Sequence, residues 1–148
     1  MSNSNKIINY HVGGRAGSIG FPINKNFSHE MHSVIFDADT DCIDQIKEKN
    51  KNSEVKSLFV GAENKELNFF INYCPYTSSS YLLNSKYKNF YHKSSKKTDY
   101  LYENVIKPVK KLKLTTRSLD ALVAEGEILP ADFISLDAQG SEYDILIN

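Results

Sequence analysis

Net charge is the first thing this 148-residue chain lacks: 18 basic side chains face 18 acidic ones. A balanced chain has no overall positive field of the kind that draws nucleic acid or an anionic membrane, and neither partner is expected. Long apolar runs are missing as well. No stretch approaches the roughly 18 consecutive apolar residues of a membrane span, and the polar start from Met1 to Lys6 has no apolar signal-peptide core. The expectation is a soluble, cytoplasmic protein. Cysteine is scarce, with Cys42 and Cys74 far apart, no CxxC and no histidine at zinc-finger spacing. That excludes a disulfide framework and gives no sign of a structural metal. Arginine is scarcer than lysine, Arg15 and Arg117 being the only two among the 18 basic residues.

What is present reads as one α/β domain over residues 1–148, a size that buries a usable core. Ile7 to Val12 is a β-prone run that stops at the cluster Gly13, Gly14, Arg15, Ala16, Gly17, a strand feeding a tight turn. Ser33 to Phe36 is a continuous apolar run of the kind that parallel strands covered on both faces show, and it ends in Asp37, Ala38 and Asp39. From about Asp41 to Asn50, apolar Ile43 and Ile46 are three apart, with acids early and lysines late, which predicts a helix. Val55 to Val60 predicts a third strand ending at Gly61 and Ala62, and Leu67 to Asn72 a fourth extended run. This alternation implies a mostly parallel sheet with flanking helices.

Between Cys74 and Lys113 the pattern dissolves into Pro75, a hydroxyl run from Thr77 to Ser80, tyrosines and lysines, and residues 74–113 read as a long loop or lid. Nine of the sixteen lysines lie between Lys86 and Lys113, against Asp99 and Glu103. A solvated loop explains this excess, and attraction of an acidic substrate is the alternative. Regular structure resumes with a strand at Leu112 to Thr116, a helix capped by Ser118 and closed near Gly126, a strand from Asp132 to Asp137, and a turn at Gln139 and Gly140 into a last helix.

In an open parallel sheet a ligand binds outside the carboxyl ends of the strands, so strand-end residues are the candidates. Gly13, Gly14 and Gly17 let a backbone lie against a ligand, or simply make a turn. Asp37, twenty residues beyond Gly17, has the spacing of a carboxylate that accepts hydrogen bonds from ribose hydroxyls. Helix capping is its alternative role, and Asp39 and Thr40 compete for both. Asp137 and Glu142 put two carboxylates at the mouth of the crevice, to orient a substrate hydroxyl or take its proton, although Glu142 can instead stabilise a helix N-terminus. His11, at the end of the first strand, is either a packed histidine or a base beside the ligand.

Four blocks together carry a family resemblance: residues 11–17 (HVGGRAG), 34–37 (VIFD), 116–120 (TRSLD) and 132–142 (DFISLDAQGSE). In order and spacing the chain resembles the FkbM-type methyltransferases over nearly its whole length. The last block is the most specific, similar to the family's D-F-I-K-I-D-x-E-G-x-E with Ser135 for lysine and Gln139 for the first glutamate. The resemblance implies a Rossmann-like fold of the class I methyltransferase type, incomplete at the C-terminus because further elements would follow Leu146. It implies S-adenosylmethionine as cofactor, with the glycine loop at the methionine part, Asp37 at the ribose, the Gly61 to Asn64 strand end near the adenine, and Asp137 toward the methyl group. The cofactor-binding set it implies is His11, Gly13, Gly14, Gly17, Asp37, Ala38, Gly61, Ala62 and Asp137; the catalytic set is Asp137, Glu142 and His11. The chain departs from the family in having His11 where an acid is common, and Phe21-Pro22 where a long first helix usually runs.

The expected activity is methyl transfer to a hydroxyl of a sugar or another small molecule. The alternative is a non-catalytic nucleotide-binding or assembly module. A nicotinamide dehydrogenase would share the glycine turn and the spaced acid but leaves the Asp132 to Glu142 block unexplained. An unpaired edge on the last strand further predicts a homodimer.

Overall fold

The computed structural model describes residues 6–15, 29–87 and 102–147. Gly17 and Phe21-Pro22 lie outside them. Four strands, β1 (Ile7–Val12), β2 (Met31–Asp37), β3 (Glu54–Ser57) and β7 (Phe133–Leu136), form a wholly parallel sheet in the order β3-β2-β1-β7.

Alternation along the strands explains the layers. Ile8, Tyr10 and Val12 of β1 share a face with Val34 and Phe36 of β2, and α3 (Leu119–Ala124) and α4 (Glu142–Leu146) cover that face through Leu119, Leu122 and Ile145. Tyr10 meets Phe36 edge-on at 5.5 Å between ring centres, an arrangement that aromatic quadrupoles favour. Ile35 packs on the opposite face, with Val55, against Cys42, Ile43 and Ile46 of the turn and helix α1 (Ile43–Lys49). With apolar cover on both sides, the end of β2 from Val34 to Phe36 has no polar face to show, which is why it reads as a continuous apolar run.

Caps set the helix boundaries. A 3-10 turn at Thr40–Cys42 precedes α1, with Asp39 accepting from the Asp41 amide at 3.1 Å, so the α-helix starts two residues later than the sequence pattern suggests. Ser118 caps α3 by accepting from the Ala121 amide at 3.2 Å, and Gly126, at φ +73°, closes it. A left-handed residue at that position is the usual stop.

The Val55 to Val60 run proves to be two strands. The Leu58 amide still donates to the Asp37 carbonyl at 2.9 Å, but beyond it β4 (Phe59–Val60) leaves β2 and pairs in parallel with the far end of β6 (Pro108–Arg117). The extended run at Leu67 is β5 (Glu66–Asn72), and it is antiparallel to β6 rather than a member of the parallel sheet. Phe59, Phe69 and Ile71 form the core of this second sheet under Leu112 and Leu114. Strand β6 therefore begins at Pro108, inside the 74–113 segment read as loop, where its exposed lysines hid the alternation. The short α2 (Tyr102–Val105) precedes it. Among the described residues no helix is long and apolar enough to cross a membrane.

Candidate active site

Strand order reverses at β1: the chain leaves it for β2 and β3 on one side and returns to β7 on the other. The crevice outside the carboxyl ends at such a point is where open α/β sheets hold ligands. A cavity partly open to solvent lies there, and Gly13, Asp37, Ala38 and Asp137 from the ends of β1, β2 and β7 all line it.

Gly13 makes this convergence possible. Its φ is +96°, and a Cβ built on it would stand 2.1 Å from the Asp137 carbonyl oxygen. No side chain fits between the two strand ends. The Gly13 amide bonds the Phe36 carbonyl and the Asp137 amide bonds the Val12 carbonyl, both at 2.9 Å, so the loop is stitched to both neighbours of β1.

Asp37 is buried at the end of β2, and its two carboxylate oxygens accept from the Asp39 amide at 2.9 Å and the Arg15 amide at 2.8 Å. It thereby ties the glycine loop to the β2 end. An ionised carboxylate has about four acceptor sites, so these two bonds leave capacity for ligand hydroxyls. Asp39, also buried, splits its duties: one oxygen caps the 3-10 turn and the other pairs with the Arg15 guanidinium. Half-buried Asp137 accepts from the side-chain amide of Gln139, whose φ is +52°.

One wall of the cavity is apolar, formed by Phe36, Leu58, Phe59, Val60 and Phe69, with Phe59 and Phe69 packed edge-on at 5.2 Å. The opposite rim is a strap from the end of β5, contributing Pro75, Tyr76, Ser78 and Ser80. Ser79 pairs with Phe70 through two backbone bonds of 2.8 and 3.1 Å, and its hydroxyl donates to the Gln139 carbonyl at 2.7 Å. The Ser80 and Ser141 hydroxyls meet at 2.6 Å, and the Tyr81 hydroxyl donates to Asp144. The hydroxyl run thus ties the second sheet to the turn before α4.

Other sequence candidates stand outside the cavity wall. Gly14 lines a smaller adjoining cavity beside Cys42 and Ile46. Gly61 is buried where a Cβ would stand 2.9 Å from Thr116 side-chain carbons, so close packing beside β6 calls for a residue without a side chain there. Ala62 follows it, also outside the wall. Glu142 turns back to accept from the Gly140 amide at 2.8 Å, at the start of α4. His11 lies buried in the sheet, its Nδ1 3.2 Å from the Ser135 hydroxyl and its Nε2 without a hydrogen-bond partner among the described residues. Burial pushes its pKa below the usual imidazole range, against the opposing pull of Asp137, the Gly13 backbone and Asp37. Conversely, Arg15, Phe69, Tyr76, Ser78 and Ser80 line the cavity without having been singled out. The arginine beside the glycine pair, in a chain with only two, was the available signal.

The Cys42 thiol donates to the Asp39 carbonyl at 3.0 Å, and burial, with Asp37 next in weight, pushes its pKa up to about 12. It is a packing group rather than a nucleophile.

Compared with protein families, residues 7–148 match the methyltransferase FkbM domain. The chain belongs to this family. No curated protein and no solved structure matches the chain. Three of the four blocks that carried the resemblance to this FkbM methyltransferase domain, at Gly13, Asp37 and Asp137, line the cavity at the switch point.

Proposed function

We propose that this FkbM domain binds S-adenosylmethionine in the switch-point cavity and transfers its methyl group to a hydroxyl of a small-molecule or saccharide acceptor. The observation that supports this most is the composition of the cavity. Three carboxyl side chains, Asp37, Asp39 and Asp137, surround a recess whose remaining wall is aliphatic and aromatic. Carboxylates favour a cationic ligand, and an apolar wall suits a flat heteroaromatic ring. The residues present therefore fit the cofactor.

When bound, S-adenosylmethionine supplies a methyl group on a positively charged sulfur. The chain's own part in the reaction is placement. Asp37, with acceptor capacity left over, takes the ribose hydroxyls. Asp137 stands at the end of β7, held by Gln139, where it would receive the proton that the acceptor hydroxyl gives up as the methyl passes from sulfur to its oxygen, leaving the neutral thioether. Tyr76, Ser78 and Ser80 form the rim that a hydroxyl-bearing acceptor meets. Holding two reactants in line is itself a large part of the rate gain available to such an enzyme.

Isothermal titration calorimetry tests the binding part. The expected result is one site for S-adenosylmethionine, weakened in Asp37→Asn by about 1.5 to 3 kcal/mol, the range for hydrogen bonds to charged groups. Absence of binding would reject the proposal. Binding without transfer of a labelled methyl to any hydroxyl acceptor would favour the alternative, a non-catalytic nucleotide-binding module.

A further inference from the structure

The geometry points to Arg15 as the residue that holds the carboxylate of the ligand's amino-acid portion. This rests on the S-adenosylmethionine reading above. Three carboxyl side chains line the cavity, and Arg15 is the cation among the described residues that line it. A wall so composed attracts a sulfonium and an ammonium but repels a carboxylate, and the amino-acid end of the cofactor carries one. Something must compensate that charge.

Arg15 is placed to do so. It follows Gly13 and Gly14 directly, its amide is fixed on Asp37 at 2.8 Å, and its guanidinium pairs with Asp39. The side chain is largely buried, at 20% exposure, with Asp39 at 6%. It lines both the main cavity and the small recess adjoining it, and so stands at their junction, as Tyr76 does. A ligand whose ring lies along the apolar wall has its tail directed to the glycine-loop end, where this junction is. The guanidinium presents five N–H donors in a planar fork that matches a carboxylate. Since one nitrogen meets Asp39, other donors can take the ligand without the ion pair being given up. The chain's other arginine, Arg117, is committed to Glu125 and Glu127 and does not line the cavity.

The test compares two probes on wild type, Arg15→Met and Arg15→Lys by calorimetry. S-adenosylhomocysteine carries the amino-acid portion and is a net-neutral zwitterion, so removal of a positive wall charge is not offset by stronger attraction of a sulfonium. 5′-Methylthioadenosine shares the nucleoside and sulfur but has no carboxylate. The expected result is that Arg15→Met weakens S-adenosylhomocysteine by about tenfold to a hundredfold, the equivalent of a charge-assisted bond pair. Methylthioadenosine should bind within twofold of wild type, which also shows that the variant is folded. Arg15→Lys should fall between wild type and Arg15→Met. If Arg15→Met binds S-adenosylhomocysteine as wild type does, or loses both probes equally, the assignment is overturned while the cofactor reading stands. If wild type binds neither probe, the cofactor reading fails and this inference with it.

Discussion

Replacing Gly13 by alanine tests the argument that the loop after β1 is glycine because β7 comes too close for a side chain. Two costs are separable. The first is conformational: a residue with a Cβ at φ +96° gives up about 1 to 2 kcal/mol. The second is steric, because a Cβ 2.1 Å from the Asp137 carbonyl oxygen must push that strand end away, at about 1 to 3 kcal/mol for an overpacked site. Gly126 is the matched control. It too has a positive φ, +73°, but a Cβ there meets nothing within 4 Å, so Gly126→Ala pays the first cost alone. Urea denaturation of both variants should give Gly13→Ala a loss of about 2 to 5 kcal/mol and Gly126→Ala about 1 to 2. The difference between them measures the contact with Asp137. Equal losses would refute the reasoning, since they would leave the close approach of β1 and β7 without energetic consequence.

Other outcomes follow from the same structure. His11 is buried with its pKa lowered, so the unfolded chain binds its proton more readily than the folded one; stability should fall as pH drops below about 6.5, the value for a free imidazole, and His11→Gln should flatten that part of the stability profile measured by chemical denaturation. The outer edge of β7 has no strand partner among the described residues, and Ile134 is 40% exposed; a dimer by sedimentation velocity that Ile134→Lys dissociates is expected, and a clean monomer at high concentration would discard it. Truncating Leu122, fully buried between α3 and the sheet, to alanine should cost about 2 to 5 kcal/mol by the same denaturation assay.

Much of the parallel sheet was legible because its strands are covered on both faces. Val34 to Phe36 reads as an apolar run for that reason, Ile7 to Val12 reads as a β-prone one, and glycine or aspartate marks where each stops. Strand β6 was not legible over Pro108 to Lys111, because these residues are exposed on both faces and carry lysines, and what makes them a strand is the distant partner β5. The change of partner at Leu58 left no local trace either, being decided by where β6 lies. In the site, Gly13, Asp37 and Asp137 could be picked out as strand-end residues with a spacing. The strap residues could not, because Ser78 and Ser80 have meaning only once Ser79 is pinned to Phe70 and Gln139. Gly61 illustrates the opposite case: a glycine at a strand end whose smallness serves Thr116 across the sheet.

On the proposed reading the cofactor sits where β1, β2 and β7 converge. Titrating the isotope-labelled protein with S-adenosylhomocysteine and following its amide resonances tests this most directly. Saturable shifts are expected at Gly13, Asp37, Ala38 and Asp137, with Gly126 and Lys113 unmoved. Unchanged resonances at those four residues under saturating ligand, or shifts confined to another surface, would contradict it.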